Sequence, residues 1–377
     1  MQALRQCRGR ILRQDVFAER DNPPFDRVCM DGVAVAGSAF AAGVRTFRLQ
    51  ATQAAGDPPL TLAAPDAAIE VMTGAVLPQG TDSVIPLEEY DLADGVLALK
   101  PEATAETWRN VQCRGSDSRP GIPMLTPGMR LGAAEVAVVA SAGLAAVLVS
   151  RQPRAMVIST GDELIEPGEP VADHQVRRSN AYGVVAALQL HGYESVHDAH
   201  LRDDAAAMQG ALGEILAARD VLILSGGISK GKFDFVPQVL KSLGVEEVFS
   251  QVAQRPGRPM WFGVGPQGQL VFGLPGNPVA TLICLARFVL PAMRALMLGR
   301  ANARERIALV EQASGRKMTY FMPVALRPEA PALAQASARP PQGSGDFLAL
   351  AGTDGFVELP PRPEGYPAGF MADFYRW

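Results

Sequence analysis

From Arg154 to Leu298 the chain alternates between short apolar runs and helix-like segments, and this alternation limits the folds open to it more than any other feature. Ala155 to Ser159 reads as a strand leading to a helix capped at Ser179 or Asn180, Glu194 to His200 as a strand leading to a helix from Asp203, and Val221 to Leu224 as a strand leading to a helix from Asp234. Val248 to Val252, Met260 to Val264 and Leu270 to Phe272 follow as strands, before a long helix from Asn277. Strands and helices joined by short connections predict a parallel, doubly wound α/β sheet. Ligands of such sheets bind beyond the carboxyl ends of the strands, so the chemistry is sought there.

The flanking segments read differently. Between Asp31 and Gly115, apolar runs at Thr46 to Gln50, Ala68 to Met72, Ser83 to Pro86 and Val96 to Leu99 are separated by Gly, Pro and Asp, the pattern of a small β-rich unit. Arg130 to Leu144 is Ala-rich, carries Glu135 near its start and ends at Gly143, as a linking helix would. After Arg300, short strands at Arg306 to Val310, Tyr320 to Ala325 and Gly355 to Leu359 predict a β-barrel-like terminal unit. A length of 377 residues exceeds what one core usually organises.

Hydrophobic residues at 48% and charged residues at 20% describe a chain that buries a core. Lys and Arg number 35 against 39 Asp and Glu, so no global field draws nucleic acid or an anionic membrane, and cations for an anionic substrate must be local. Met1 to Arg20 carries five arginines and no signal-length apolar run, and no unbroken apolar stretch reaches a membrane span, which points to a cytoplasmic protein. The four cysteines form no Cys-x-x-Cys pair, as expected of reduced thiols. His197 and His200, three apart on a strand-like stretch, read as exposed polar residues and not as a metal pair.

Three glycine-marked loops follow strands. In Ser159-Thr160-Gly161-Asp162-Glu163-Leu164, the acids suit either a turn or a Mg2+ ion bridging phosphate oxygens. The second loop runs from Ser225-Gly226-Gly227 through Ser229, Lys230 and Lys232 to Asp234. Gly226, Gly231 and Lys232 fit Gly-x-x-x-x-Gly-Lys, but Phe233 stands where a Walker A loop has Ser or Thr. What remains is a glycine-rich cradle with hydroxyl donors, and Asp234 serves either as a helix N-cap or as a catalytic acid. The third, Gly273-Leu274-Pro275-Gly276-Asn277-Pro278, is stiffened by its prolines and aims the N-H groups of a helix at an oxyanion. Between the last two lie Arg255 and Arg258, flanking Pro256-Gly257, as two guanidinium forks or a solvated charge pair. The β-rich segment adds Met30-Asp31-Gly32, Met72-Thr73-Gly74-Ala75 and Arg114-Gly115-Ser116-Asp117, each of which alone could be a turn.

Taken in order with Leu201-Arg202-Asp203-Asp204, these segments resemble the MoeA-type molybdenumtransferases, a family that includes the carboxyl-terminal domain of gephyrin. The motifs span Met30 to Pro278, about two thirds of the chain. The resemblance implies a multi-domain α/β plus β fold. Its parts would be a linking α/β domain from 1–30 and 118–150, a β-rich inserted domain over 31–117, a molybdopterin-binding-like domain over 151–300, and a C-terminal barrel-like domain over 301–377. It also implies an elongated homodimer whose active site combines the α/β domain of one subunit with the β-rich domain of the other. Carried over motif by motif, the family's catalytic acids fall on Asp31, Asp117, Glu163, Asp203 and Asp234. Substrate contacts fall on Thr73, Ser225, Gly226, Gly227, Ser229, Arg255, Arg258, Pro275, Asn277, Pro278 and Ser344. Arg255 and Arg258 stand where lysines are common in the family, which keeps the charge and alters the oxyanion geometry. The chain departs from the family at its start, where it nearly lacks a helix of some 25 residues before Gly9 to Leu12.

The implied reaction consumes molybdopterin-AMP and molybdate and releases molybdenum cofactor and AMP. Glu163 and Asp234, aided by Asp31, would hold Mg2+ against the pyrophosphate, while Asp117 and Asp203 orient or deprotonate water or a molybdate oxygen. Partners would be the upstream molybdopterin adenylyltransferase and apo-molybdoenzymes. The alternatives are an adenylyltransferase, which resembles only the α/β portion, and a catalytically inert molybdopterin-binding scaffold. Asp234→Ala is expected to leave folding intact and abolish AMP release; unchanged metal-dependent AMP release in that variant would refute the assignment.

Overall fold

A computed structural model of the chain describes residues 1–227, 235–297, 305–327, 335–341 and 346–377. The chain divides into two compact units, one of Met1–Arg8 with Leu12–Val149 and one of Gly9–Ile11 with Ser150–Trp377.

The first unit is built on a six-stranded sheet of β1 (Gly32–Val35), β2 (Thr46–Gln53), β3 (Ala67–Val71), β4 (Ser83–Pro86), β5 (Tyr90–Ala93) and β6 (Val96–Leu99), in the order β4-β1-β3-β2-β6-β5. Only β2 and β3 pair in parallel. The period-two alternation of strand side chains gives the sheet two apolar faces. Val33, Val35, Ala68 and Ile85 pack on one side with Phe47 and Leu97, and Ala34, Ile69 and Val84 pack on the other with Val28 and Val71. Helix α1 (Ala133–Ser141) starts where Glu135 accepts the Gly132 N-H at 2.9 Å and is followed by Gly143 at φ 78°. It packs its Val139 with Leu12, Val16, Leu125 and Leu131.

The second unit carries the alternating segment as β7 (Ala155–Thr160), α2 (Ser179–Leu190), β8 (Val196–Leu201), α3 (Ala205–Ala218), β9 (Val221–Ser225), α4 (Val236–Ser242), β10 (Glu246–Phe249), β11 (Trp261–Val264), β12 (Leu270–Leu274) and the helix α5 (Pro278–Leu296). The sheet order is β8-β7-β9-β12-β11-β10. Both faces are covered, as doubly wound topology requires: Val157, Ile223 and Phe272 pack with α2 and α5, and Ile158, Leu222 and Val271 pack with α3 and α4. α5 is long and apolar enough to cross a membrane, yet half of it is buried in this core. A π turn interrupts it over Leu285–Val289, just before Pro291, whose missing N-H removes one helix bond.

The sequence expectation needs correction in three places. Only β8, β7, β9 and β12 pair in parallel; at the edge β11 runs antiparallel to β12 and β10 antiparallel to β11, so β11 alone is reversed. The five residues between β11 and β12 can close a hairpin but cannot carry the crossover that a parallel pair needs. The helix expected from Asp203 begins at Ala205, because Asp204 is the residue whose carboxylate accepts the Ala206 and Ala207 N-H groups. Neither Ser179 nor Asn180 caps α2, whose N-cap position is Arg178.

Strands β13 (Glu305–Leu309), β14 (Thr319–Arg327), β15 (Gln335–Ala338), β16 (Gly355–Leu359) and β17 (Met371–Arg376) form a ring, closed by the pairing of β14 with β16. Ile307, Leu309, Met322, Val324, Val357 and Phe374 fill it. Phe321, Phe356 and Tyr375 point outward and join the α2/α5 face of the α/β core, so barrel and sheet share one hydrophobic body. Gln254–Arg255 adds to the barrel as a short parallel strand beside Thr319 and Tyr320.

At the opposite, amino-terminal end of the sheet, Asp220 accepts hydrogen bonds from Arg151 at 2.6 and 3.1 Å and from the Arg154 backbone and guanidinium. These bonds, those of Arg151 foremost, hold its carboxyl well below the usual carboxylate range. A carboxyl depressed on folding contributes stability that is present above its unfolded pKa and lost as pH falls toward its folded one. Asp220→Asn should therefore lower the unfolding midpoint at pH 7, and its deficit against the parent should shrink below about pH 4. A deficit unchanged between pH 7 and pH 2 would remove the charge from the explanation.

Candidate functional site

The carboxyl ends of β7, β9 and β12 lie side by side, with Ser159 in register with Ser225 and Ser225 with Leu274. The chain leaves β9 through Gly226 at φ 97° and Gly227 at φ 65°. A Cβ on Gly226 would stand 2.7 Å from the Thr160 carbonyl oxygen, so both conformation and space demand glycine. At this junction Thr160 is buried and its Oγ1 has no hydrogen-bond partner, nor does the buried Oδ1 of Asn180. The Nδ2 of Asn180 donates to Ser225 Oγ at 3.0 Å and to the Gly276 carbonyl at 2.7 Å, tying α2 to the loops after β9 and β12. Buried polar atoms left unpaired at strand tips are where a polar ligand would complete the bonding.

These residues line a cleft of ≈ 490 Å3 that also takes in Glu163, Arg178, Asn277 and Pro278. Glu163 is exposed, and its carboxylate folds back over Gly161, at whose φ of 135° a Cβ would meet Glu163 Oε2 at 2.4 Å. His200 is exposed, as read from the sequence, and its Nε2 donates to the Gly161 carbonyl at 2.8 Å.

A second cleft of ≈ 530 Å3 shares Asn277 and brings together Arg255, Arg258, Pro275, Arg316 and Tyr320. Its arginine loop is shaped by the buried Gln254, whose amide donates to the Pro256 and Gly257 carbonyls at 3.3 and 3.2 Å. Gly257, at φ 89°, leaves no room for a Cβ against Cys284 Sγ at 2.7 Å. Burial pushes that thiol up to about 12, so it packs as a neutral group. Arg316 comes from the barrel and lies over the Tyr320 ring, 4.8 Å from its centroid. The loop after β12 is held by Thr281, whose hydroxyl donates to the Pro275 and Asn277 carbonyls at 2.6 and 2.9 Å. Asn277 sits at the N-cap of α5 and makes no side-chain cap, leaving its amide and the first-turn N-H groups toward the cleft.

In the first unit, Asp31 Oδ1 accepts the Thr73 N-H at 2.6 Å and its hydroxyl at 2.7 Å. Asp117 accepts Gln112 Nε2 at 2.6 Å, and Gln112 in turn bonds Arg27. The turns bearing Thr73 and Asp117 flank the same two-residue strand, Arg27–Val28, which pairs with Val111–Gln112 and bonds Gly74 and Ala75. Asp31 lies three residues beyond that strand.

The sequence-derived residues thus fall into separate groups. Glu163, Ser225, Gly226, Asn277 and Pro278 share one cleft, and Arg255, Arg258, Pro275 and Asn277 share the other. Gly227 packs against Thr160 and Val236. Asp203 is half-buried between β8 and α3 and has an interaction partner. Asp31, Thr73 and Asp117 belong to the first unit. Asp234, Ser229 and Ser344 lie outside the described residues. Thr160, Asn180, Arg178, Arg316 and Tyr320 were missed from sequence; the first three sit beside recognised loops, but nothing in the local pattern around Arg316 and Tyr320 ties them to the arginine loop. Among the described residues no group of three or more His, Cys, Asp and Glu could hold a metal ion.

Hydrogen bonds from the Thr73 backbone and then its hydroxyl keep the Asp31 carboxyl below the usual range. Thr73→Val should move the Asp31 titration upward in a carboxyl NMR experiment while leaving it depressed, because the larger, backbone bond survives. An unmoved titration would show that the hydroxyl does not reach Asp31.

Comparison with known proteins accords with this architecture. Residues 2–143 match the MoeA N-terminal region (domain I and II), residues 156–295 a probable molybdopterin binding domain, and residues 306–377 the MoeA C-terminal region (domain IV). A molybdopterin molybdenumtransferase of Synechocystis is 41% identical over 98% of this chain and 93% of its own length. One from Staphylococcus aureus is 30% identical over 98% and 89%. A molybdopterin biosynthesis MoeA protein from Pyrococcus horikoshii superposes with a TM-score of 0.75 at 27% identity, covering 99% of this chain and 93% of that one. A second structure from that organism reaches 0.81 at 23% identity over 100% and 93%, which bears on the fold alone. With matches that include both terminal regions and not only the α/β domain, the chain belongs to the MoeA-type molybdopterin molybdenumtransferase family.

Proposed function

We propose that the chain inserts molybdenum from molybdate into adenylylated molybdopterin at the strand tips of its α/β domain and releases AMP. The observation that carries this reading is the pair of adjoining clefts that share Asn277. The first offers hydroxyls, unpaired amide and hydroxyl oxygens and glycine backbone, which suits the polar edge of a pterin and its phosphates. The second offers Arg255, Arg258 and Arg316 in one concavity with no carboxylate among its described lining residues, a local concentration of positive charge in a chain of net charge -4. Guanidinium forks bind tetrahedral oxyanions through paired N-H groups, so molybdate would dock there beside the pterin.

Mg2+ is part of the proposal. What supports it is the exposed Glu163 carboxylate at the mouth of the strand-tip cleft. Mg2+ keeps several waters and takes one or two carboxylates together with substrate phosphates, so a single described carboxylate fits a substrate-bridged ion better than a protein cage. Bound there, it would screen the phosphates from the acidic residues. Glu163 would hold it, joined by Asp234 on the strength of the sequence motif. Asp31, reaching from the β-rich domain of a partner subunit in a homodimer, would aid in holding the ion, while Asp117 from that same domain and Asp203 from the α/β domain would orient or deprotonate water or a molybdate oxygen. The enzyme would act in the cytoplasm, receiving its substrate from an adenylyltransferase and passing its product to apo-molybdoenzymes.

The decisive experiment combines purified protein, molybdopterin-AMP, Mg2+ and molybdate, then measures AMP and the reconstitution of an apo-molybdoenzyme. Absence of both, beside an active control enzyme, would end this reading. Within it, Arg258→Ala and Arg316→Ala should each raise the molybdate requirement about 10-fold or more, the value of a charge-assisted hydrogen bond. Mixing Asp31→Asn and Glu163→Gln subunits should restore part of the activity that each has lost; no recovery would exclude a site shared between subunits.

A further inference from the structure

The segment that carries Glu163 leaves β7 at Gly161 and returns at Arg178. None of residues 162–177 is buried, so no apolar packing holds it on the domain. Internally it is tied by the short parallel pair Leu164–Ile165 and Val176–Arg177, with Val176 N-H on the Glu163 carbonyl at 2.9 Å and Arg178 N-H on the Ile165 carbonyl at 3.0 Å. Arg177 adds bonds to the Glu166 and Glu169 carbonyls at 2.9 and 2.6 Å. These contacts give the segment a shape and do not fix its place.

Its attachment to the sheet is concentrated in one buried side chain. Arg178 is 6% exposed, and its guanidinium reaches Ser159 Oγ on β7 at 3.2 Å, Glu166 Oε2 on the loop at 2.9 Å, the Ala199 carbonyl on β8 at 3.4 Å, and the Asp198 carboxylate on the same strand. Tyr182 on α2 holds the other oxygen of Glu166. A planar fork with several donors in fixed directions can join three separate elements in this way, which the compact ammonium of a lysine cannot. A buried guanidinium is retained only if its donors are satisfied, so the loop, both strands and Arg178 must adopt their places together.

We propose that Arg178 is a positioning residue: by clamping Glu166 to Ser159 and Asp198, it holds the 161–178 loop over the strand ends and sets Glu163 at the mouth of the cleft. The inference rests on the reading of that cleft as the substrate site. A carboxylate displaced by about 1 Å from its working position costs about 10²-fold in rate, so the clamp should show in turnover.

Two variants test it. Glu166→Gln changes only an exposed loop carboxylate, and Arg178→Met combined with Asp198→Leu removes the buried guanidinium together with its partner on β8, leaving no unpaired charge in the interior. Hydrogen exchange at the Val176 and Arg178 amides reports the loop, and AMP release with molybdopterin-AMP and molybdate reports the chemistry. The expected result is faster exchange at both amides in both variants, with kcat reduced about 10-fold in Glu166→Gln and about 10²-fold in the double variant, and KM for molybdate changed less than about 3-fold because the arginine cleft is untouched. Unchanged exchange in the double variant would overturn the clamp. Faster exchange with unchanged kcat would overturn its bearing on the reaction and reduce Arg178 to a structural residue. If the parent protein itself releases no AMP, the functional reading fails on its own, and the exchange comparison still decides whether Arg178 holds the loop.

Discussion

Everything at the candidate site depends on how closely β7 and β9 end beside one another. Their parallel pairing sets Ser159 against Ser225, and the chain can continue past Ser225 only by crossing the Thr160 carbonyl at a distance that no Cβ tolerates. Gly226 meets that constraint, and the outcome is a floor of backbone and hydroxyl groups with unpaired oxygens on Thr160 and Asn180. An added methyl group there would clash with the Thr160 carbonyl and push the two strand ends apart.

The same economy governs the arginine cleft. Positive charge concentrated on one concave surface works against desolvation and self-repulsion, so the scaffold beneath it must be stiff. Gln254 bonds across the loop, Gly257 sits against Cys284, and Thr281 holds the loop after β12. Arg316 enters from the barrel, which is itself fixed to the α/β core through Phe321, Phe356 and Tyr375. Glu358 accepts both Arg287 of α5 and Tyr375 of β17, adding a polar tie at the same seam. The terminal barrel therefore serves the site as a wall and a donor of charge.

Glu163 and the arginine loop belong to different clefts of the second unit. Glu163 rides on a loop without apolar anchors, whereas the arginines rest on buried polar and apolar supports. An anion cradle has reason to be rigid, and a loop without apolar anchors needs a separate tie to hold its carboxylate in place. The buried Arg178, with its carboxylate partners on two elements, is the point at which the loop is tied to the sheet.

Sequence alone determined the elements whose cause is local. Period-two and helical patterning marked β4, β6, β7, β9 and β16 to within a residue or so, and the glycine and proline loops after β7, β9 and β12 were legible because turn chemistry is written in adjacent residues. The motifs also sufficed to place the chain in its family. Tertiary structure decided what depends on partners distant in sequence. The reversal of β11 follows from a hairpin too short for a crossover, the helix expected from Asp203 starts only after Asp204 has capped it, and Asn180 spends its amide on Ser225 and Gly276 instead of a helix end. Arg316, 58 residues beyond Arg258, joins the arginine loop only because Gln254–Arg255 pairs as a strand with β14 of the barrel. Local patterns record a residue's neighbours in the chain; convergence in space is settled by pairing and packing between segments that no short window contains.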